Sequence, residues 1–165
     1  MEKMMINEHI VIRPARESDI TLIINFIREL AEYEHLTHLV EVNEKNLKEY
    51  IFEKKMAEVI IAEYNHEPAG FALYFYNFST FLGKPGIYLE DLFVNPTFRG
   101  KGLGKHILSH IAKIVREQNY GRLEWACLNW NEPSIKFYQS QGAQSLDEWM
   151  LFRVSGKALE VLALS

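Results

Sequence analysis

The sequence is poor in cysteine and has no long hydrophobic run. Cys127 is the single cysteine among 165 residues, and no eighteen consecutive residues are apolar. One cysteine cannot form an intramolecular disulfide or a thiolate metal cluster, so neither can hold the fold together. The missing apolar run argues against a membrane-spanning helix, and the charges between Met1 and His9 argue against a signal peptide. We therefore expect a reduced, cytoplasmic protein.

The sequence also lacks an excess of positive charge. The 18 Lys and Arg residues are outnumbered by 22 Asp and Glu residues, which gives a formal net charge of -4. That sign is wrong for a protein that coats nucleic acid or an anionic membrane. It mildly favours a cationic small molecule as the binding partner.

Linkers and internal repeats are absent as well. No stretch is rich in Ser, Gly or Pro over the length of a linker, and no repeat period is visible. Hydrophobic residues make up 48% and charged residues 24% of the chain, as in ordinary globular proteins. Because 165 residues is the length of one domain, we expect a single domain over residues 1–165.

The spacing of apolar residues predicts alternating strands and helices. Short β-branched and aromatic runs indicate strands, and apolar residues three and four apart indicate helices. A strand, a helix and a strand in succession should form a right-handed parallel crossover. We therefore expect an α/β (α+β) fold with a mixed, mainly antiparallel sheet, a parallel central pair and helices on both faces. The predicted elements are a strand at 9–13, a helix from a Ser18 cap to about Tyr33, a helix capped by Asn43, a hairpin of 59–63 and 69–78, a strand at 87–94, a helix at 105–117, a strand at 122–128, a helix from an Asn131 cap to Gly142, and a last strand near 150–154.

A glycine-rich loop carries the most specific signal. It reads Arg99-Gly100-Lys101-Gly102-Leu103-Gly104 and lies between a predicted strand and a predicted helix. Alternating glycines permit positive φ and expose successive N–H groups, and the helix N-terminus adds a positive dipole end, so the loop should bind an anion. A Walker loop is disfavoured because its first Gly and its Ser or Thr are missing, and the spacing is G-x-G-x-G where a dinucleotide fingerprint needs G-x-G-x-x-G. A glycine-rich connector without a ligand is the alternative.

The loop fits R-x-x-G-x-G, and the chain resembles the GNAT superfamily of N-acetyltransferases over nearly its whole length. Among these it looks most like the spermidine/spermine (diamine) acetyltransferase branch. Besides the loop, four blocks carry the resemblance: Ile12 to Ala15, Glu29 to Glu34, Tyr88 to Val94 and Trp130 to Tyr138.

The resemblance implies acetyl-CoA as the cofactor and suggests which residues bind it. Backbone groups of one strand would pair with the pantetheine amides, the glycine loop would hold the pyrophosphate, and two residues near the last helix would complete the cleft. The family often has basic residues after the matching tyrosine, whereas Gln139 to Gln141 follow it here, so these positions supply no basic side chain for a phosphate. The expected cofactor-binding residues are Leu92, Phe93, Val94, Arg99, Gly100, Lys101, Gly102, Leu103, Gly104, Lys105, Asn131 and Ser134.

The same resemblance suggests the catalytic residues. An alkylamine with a pKa of about 10.4 is protonated at pH 7, so acetyl transfer requires a base. Glu90 is the candidate base, directly or through water, and Tyr138 would protonate the departing thiolate. In a regular strand Glu90 and Asp91 point to opposite faces, so only one should enter the cleft unless a bulge re-aims them. A surface ion pair for Glu90 and core packing for Tyr138 are the alternatives.

The expected acceptor is a primary amine of a small polyamine or diamine, and we expect a homodimer. The implied substrate-binding residues are Tyr33, Glu34, Glu90, Glu124, Trp125, Ala126 and Glu148. The alternative hypotheses are acetylation of an amino-acid analogue or a protein amine, and acyl-CoA binding without catalysis. We expect no metal site, because His106 and His110 stand four apart without a third ligand, and we expect Cys127 to be a core residue.

Overall fold

The structure, a computed structural model, describes residues 9–165 and divides into two compact units. The first unit extends to Leu128, and the second comprises Asn129–Ser165. The expectation about a signal peptide concerns residues 1–8, which lie outside the described part of the chain. Within residues 9–165, no helix combines the length and apolar character needed to cross a membrane. The single domain expected from the length stays a prediction.

The first unit is built on one five-stranded sheet. Its strands follow the chain order β1 to β5, with antiparallel pairs from β1 to β4 and a parallel pair between β4 and β5. This is the mixed, mainly antiparallel sheet with one parallel pair that the sequence predicts, although among the described strands the pair lies at the β5 edge of the sheet and not at its centre. The strands are β1 (Ile10–Pro14), β2 (Glu58–Tyr64), β3 (Glu67–Ser79), β4 (Lys84–Val94) and β5 (Leu123–Trp125). The α-helices of this unit are α1 (Ile20–Tyr33), α2 (Glu44–Leu47), which continues as a π-helix over Lys48–Glu53, and α3 (Leu103–Glu117).

One face of the sheet packs against α1 and α2. Phe26 on α1 stacks on Phe71 of β3 with ring centroids 5.6 Å apart, and it contacts Phe93 of β4 at 6.0 Å. Each fully buried aromatic or aliphatic side chain of this kind contributes ~1.5–3 kcal/mol. The buried residues of this cluster are Ile20, Ile23, Ile24, Phe26, Leu47, Val59, Ile61, Phe71 and Phe93.

The opposite face packs against α3. Buried strand residues that alternate with the α1-facing ones point to this side, because successive side chains of a strand point to opposite faces. They include Ala72, Ile87 and Leu89, and the helix supplies Ile107 and Ile111. The β4–α3–β5 crossover and the placement of helices on both faces are therefore confirmed.

Helix ends agree with the sequence in one case and differ in another. The Asn43 side chain accepts a hydrogen bond from the backbone N–H of Asn46 at 2.9 Å, so the predicted cap of α2 is confirmed. The Ser18 cap is wrong, because a 3₁₀ turn over Glu17–Asp19 precedes α1. The side chain of Asp19 caps this turn: it accepts a hydrogen bond from the N–H of Arg16 and forms an ion pair with Arg13.

Two predicted strands differ from the structure. The strand expected at 122–128 is shorter, since β5 ends at Trp125. The last strand expected near 150–154 is wrong: those residues form no strand, and Met150, Leu151 and Phe152 are more than 75% exposed. Their β-branched and aromatic composition favours a strand, but a strand needs a ladder partner, and the described residues provide none.

The second unit consists of two helices and the segments around them. Helix α4 (Glu132–Ser140) begins at Asn131, whose side chain accepts from the N–H of Ser134 at 3.4 Å, and it ends before Gly142, as the sequence predicts. Pro133 lies in the first turn, where its missing N–H costs nothing. Helix α5 (Gly156–Ala163) was not predicted.

Candidate active site

A β-bulge in β4 brings two carboxylates to the same face of the sheet. Leu73 of β3 pairs with Asp91 and the next residue, Tyr74, pairs with Leu89, so β4 has one extra residue, Glu90, at this point. Paired residues share a face. Asp91 therefore lies on the α1 face with Leu73, whereas Leu89 lies on the α3 face with Tyr74. Glu90, next to Leu89 and opposite in direction, also lies on the α1 face.

In a regular strand the two carboxylates would point apart, and this bulge is the exception under which both can lie on one face. It also reveals a residue that sequence reasoning left out of the site. Asp91 is partly buried, while Glu90 is exposed. The signal in the sequence was the Glu90-Asp91 pair in the middle of an otherwise apolar strand. The bulge itself depends on the register with β3, which the sequence does not display.

A third carboxylate, Glu34, lies close to this pair. Burial and then the negative charges of Glu90 and Glu34 raise the pKa of Asp91 to about 7. Burial also raises the pKa of Glu34, and burial together with the Glu34 charge raises the pKa of the Cys127 thiol. Glu34 at the end of α1 thus faces both β4 and the segment after β5.

None of the three carboxylates forms an ion pair within the described part of the chain. The salt bridges there belong to other acids, such as Asp19, Glu63 and Glu124. A partly desolvated acidic cluster without a cation is costly, so it provides a favourable place for a cationic ligand.

The ladder between β4 and β5 stops next to this cluster. It covers three pairs, from Ile87 with Leu123 to Leu89 with Trp125, and ends one residue before Glu90. Beyond it, within residues 9–165, β4 has no strand partner on the side away from β3. The edge of β4 from Glu90 to Val94, including Leu92 and Phe93, is therefore suited to pair with an extended amide-containing ligand.

The glycine loop has the backbone conformation expected of an anion site. Gly100 has φ +77° and Gly102 has φ +86°, in the left-handed region that glycine adopts without strain. Gly102 is the N-cap of α3, so the N–H groups of Leu103, Gly104 and Lys105 have no partner within the helix. His106 stabilises this start by donating from Nδ1 to the carbonyl of Gly102 at 2.9 Å.

The basic side chains of the loop contact aromatic rings. The Arg99 guanidinium lies 4.8 Å from the ring centre of Tyr33, and its Nε donates to the carbonyl of Val94 at 3.0 Å. Lys101 lies over Tyr64 at 4.5 Å. Arg99 therefore joins the end of α1 to the end of β4, while Lys105 is exposed.

The residues predicted on β5 are divided between the two faces. Glu124 pairs with Tyr88 and lies on the α1 face, but its Oε2 accepts from Asn77 at 3.1 Å and lies 3.0 Å from Nε of Arg122. Trp125 pairs with Leu89 and lies on the α3 face. Ala126 is exposed just after the strand. Glu124 thus shares the face of Glu34 and Glu90 but already has Arg122 as a cationic neighbour, and Trp125 does not share that face.

The remaining predicted residues belong to the second unit. Asn131 is buried and caps α4, and Ser134 lies in its first turn. Tyr138 lies on the same helix, with its ring 5.3 Å from that of Phe137. Glu148 is exposed in the segment after α4. Their roles stay predictions.

No group of three His, Cys, Asp or Glu side chains between residues 9 and 165 is placed to share a metal ion. His110 is half-buried, and burial followed by Lys113 lowers the pKa of its imidazole.

Comparison with known proteins gives the family. The model of the Acetyltransferase (GNAT) family matches residues 23–143. Thialysine N-epsilon-acetyltransferase of Bos taurus is 36% identical over 93% of this chain and 97% of its own length. L-ornithine N5-acetyltransferase NATA1 of Arabidopsis thaliana is 30% identical over 92% of this chain and 86% of its own. Spermidine/spermine N(1)-acetyltransferase-like protein 1 of Homo sapiens is 28% identical over 92% of this chain and 23% of its own.

A solved structure agrees with these relatives. The integron cassette protein VCH_CASS6 from the mobile metagenome of V. cholerae superposes with a TM-score of 0.80 and 29% identity, over 96% of this chain and all of that one. The chain belongs to the Acetyltransferase (GNAT) family. It is an N-acetyltransferase that acts on amines, and enzymes of this family use acetyl-CoA as co-substrate.

Proposed function

We propose that this N-acetyltransferase modifies a terminal primary amine of a small diamine or polyamine. One observation carries the proposal: Glu34, Glu90 and Asp91 share one face of the sheet beside the end of the β4–β5 ladder, without a cation of their own. An ammonium group can neutralise this cluster, and each partly desolvated charge-assisted hydrogen bond contributes ~1–3 kcal/mol. The net charge of -4 favours the same class of ligand.

Acetyl-CoA binds, in this proposal, along the free edge of β4 and at the start of α3. The backbone of Leu92, Phe93 and Val94 fits an extended chain with amide groups, and the N–H groups from Gly100 to Lys105 fit a diphosphate. Arg99, Lys101 and Lys105 add positive charge there. Asn131 and Ser134 are proposed to complete this site. The co-substrate supplies an activated acetyl group as a thioester.

Residues of the protein then remove a proton from the ammonium and supply one to the departing thiolate. The bound ammonium loses one proton to the carboxylate pair at the bulge, Glu90 and Asp91. Glu90, which the sequence predicts to be the base, is exposed to the incoming amine. The amine lone pair forms the C–N bond to the acetyl carbonyl carbon, and the C–S bond breaks with its electron pair going to sulfur. When the amide forms, the nitrogen loses a second proton. This proton replaces the one that Tyr138 donates to the thiolate.

A diamino acid is the second candidate acceptor. Two full-length relatives are named for thialysine and ornithine, which each carry a side-chain amine and an α-amino acid group. The side-chain amine would enter the same acidic cluster. The carboxylate of such a substrate would need a cation: Arg122 already pairs with Glu124, whereas Arg99 lies over Tyr33 at the end of α1 and forms no ion pair among the described residues.

A thiol-release assay over a panel of amines tests the substrate class. With acetyl-CoA saturating, we expect kcat/KM to be highest for diamines and polyamines, lower for thialysine and ornithine, and negligible for neutral amines and peptides. Glu34→Gln should raise the KM for a polyamine, and added salt should do the same through screening. Glu32→Gln on the same helix, whose side chain is exposed, is the matched control. Higher kcat/KM for the diamino acids would replace the first candidate with the second.

The role of Tyr138 is tested by removing its hydroxyl. Tyr138→Phe should lower turnover by roughly 10- to 10⁴-fold with little change in acetyl-CoA affinity, as expected for a proton donor in the transition state. Tyr120→Phe, on a tyrosine after α3, is the control. Wild-type turnover of Tyr138→Phe at saturating substrates would leave Tyr138 with a packing role alone.

A further inference from the structure

We infer that Asp91, and not Glu90, takes the proton from the bound ammonium, while Glu90 holds that ammonium at the end of the β4–β5 ladder. This inference rests on the proposed function and divides the work between two adjacent carboxylates. It departs from the sequence, which points to Glu90 as the base.

The bulge makes both residues available to one ligand but in different surroundings. Glu90 is the extra residue of β4 and is exposed, so its carboxylate meets the amine from the solvent side. Asp91 is paired with Leu73 and lies two residues before buried Phe93, so its carboxyl is set back against the apolar α1 face. A ligand entering from solvent therefore reaches Glu90 first and Asp91 next.

The charged groups around Asp91 all disfavour its ionisation. Glu90 faces it from its own strand and Glu34 from the end of α1, while β3 contributes the apolar Leu73. Cys127, after β5, is a thiol whose pKa is itself raised near Glu34. Arg99, at the end of β4, is engaged by the Val94 carbonyl and the Tyr33 ring and forms no ion pair with Asp91.

These surroundings give Asp91 the basicity that the reaction needs. Its pKa of about 7 lies closer to that of an alkylammonium than the value of about 4.3 for an ordinary glutamate. Proton transfer from the amine to Asp91 is therefore more favourable than transfer to an unperturbed glutamate. A base with a pKa near the working pH is also the one that general base catalysis favours.

The proton balance is simple. One N–H proton of the ammonium passes to a carboxylate oxygen of Asp91 and is released to solvent after turnover. The nitrogen lone pair that this step frees forms the C–N bond, and the C–S bond breaks with its electron pair going to sulfur. The second N–H proton replaces the proton that Tyr138 gives to the thiolate, so one proton in total is released. The cationic substrate beside Glu90 offsets part of the negative charge that raises the pKa of Asp91, and that charge acts on Asp91 again once the amine has lost its proton.

The pH dependence of kcat/KM for the best acceptor tests the assignment. The wild-type enzyme should show an acid limb with a pKa near 7. Asp91→Asn should remove this limb and lower kcat by at least ~100-fold, which lies within the range of general base catalysis. Glu90→Gln should raise KM and move the limb to lower pH, because one negative neighbour of Asp91 is lost. Loss of the limb in Glu90→Gln, with only a displaced limb in Asp91→Asn, would overturn the inference.

Two further variants test the assignment even if Asp91→Asn fails to fold. Glu34→Gln should also move the limb to lower pH, whereas Glu32→Gln, on the same helix end, should leave it in place. An unmoved limb in Glu34→Gln would contradict the assignment even if Asp91→Asn does not fold. Calorimetric binding of acetyl-CoA to each variant shows that the site is intact. The proposed function fails differently: no amine of the panel would then be acetylated by the wild-type enzyme at any pH.

Discussion

At the scale of single residues, Asp91 is a place where the requirements of stability and of chemistry conflict. A carboxyl group whose pKa is raised in the folded state binds its proton more tightly there than in the unfolded chain. Its contribution to stability is complete below about pH 4 and is lost as the pH rises through about 7. The native protein therefore carries a penalty at neutral and alkaline pH that it would not carry without this acid.

Asp91→Asn should consequently stabilise the protein at alkaline pH while lowering its activity. We expect the free energy of unfolding at pH 8.5 to increase by ~1–2 kcal/mol over wild type, a figure reduced for the water that still reaches the side chain. The gain should shrink toward pH 5. Urea unfolding at both pH values measures it, and Asp147→Asn, at an exposed position, is the control. A gain that is the same at both pH values would show that ionisation is not its cause.

Gly102 combines a conformational and an electrostatic requirement. Its φ of +86° is one that other residues adopt only with strain, and a negative side chain at the start of α3 would repel a bound diphosphate. Gly102→Glu should weaken acetyl-CoA binding by more than ~100-fold, a loss of about 2.7 kcal/mol. Isothermal calorimetry measures this loss.

The matched control for that measurement is Gly83→Glu. Gly83 lies in the turn between β3 and β4, with φ +64° and open space around it. The substitution therefore introduces comparable backbone strain away from the glycine loop. Unchanged affinity is expected for this variant. If both variants bound acetyl-CoA as wild type does, the glycine loop would not be the diphosphate site.

At the scale of elements, the contact between β3 and the last residues of β4 depends on a small side chain. A Cβ on Gly70 would come within 2.4 Å of the carbonyl oxygen of Phe93, which belongs to the backbone and cannot turn aside. Gly70→Ala should therefore lower the free energy of unfolding by ~1–3 kcal/mol, as overpacking of a core does. It should also weaken acetyl-CoA binding, because the displaced part of β4 carries the proposed pantetheine edge.

Chemical unfolding and calorimetry on the same sample measure the two effects. His66→Gly, in the two-residue turn between β2 and β3, is the opposite case. Asn65 and His66 have φ of +50° and +67°, so glycine should be tolerated or slightly stabilising there. A Gly70→Ala protein as stable as wild type would mean that β4 shifts freely, against the packing described.

Much of the element order could be predicted because it depends on local pattern. The helical spacing of Ile20, Ile23 and Ile24, and of Ile107 and Ile111, predicts α1 and α3, and both helices bury those residues. The bulge at Glu90 could not be predicted, since it exists only in the register with β3. The strand predicted near 150–154 is wrong for the same reason. The composition of this segment is typical of a strand, but a strand needs a pairing partner, which the local sequence does not identify.

The candidate site was predictable to a similar degree. The glycine loop is a continuous motif, so its residues could be found from spacing alone. The acidic cluster joins the end of α1 to the middle of β4, and its members are brought together only by the tertiary fold. The sequence found Glu34 and Glu90 through the family resemblance. The sequence gave no means of recognising that Glu124 lies beside Arg122, or that Asp91 is less exposed than Glu90.

At the scale of the whole molecule, the C-terminal unit leaves large apolar side chains in water. Trp149 is 70% exposed, Phe152 85% and Leu164 90%, and the exposed faces of Leu159 and Leu162 lie on α5. Monomeric proteins rarely expose contiguous apolar surface of this kind, and covering it would stabilise an assembly. We propose that a second copy of the chain covers it.

Sedimentation velocity at micromolar concentration should therefore show a homodimer, with twice the 19.3 kDa mass of the chain. Leu162→Asp should shift the protein toward the monomer, because a charge placed in an apolar contact costs several kcal/mol unless it is paired. Phe81→Asp is the matched variant at a second exposed apolar position, 96% accessible in the turn after β3, and should leave the dimer intact. A wild-type monomer would refute the homodimer, and dissociation by Phe81→Asp alone would move the interface from the C-terminal unit to the β3–β4 turn.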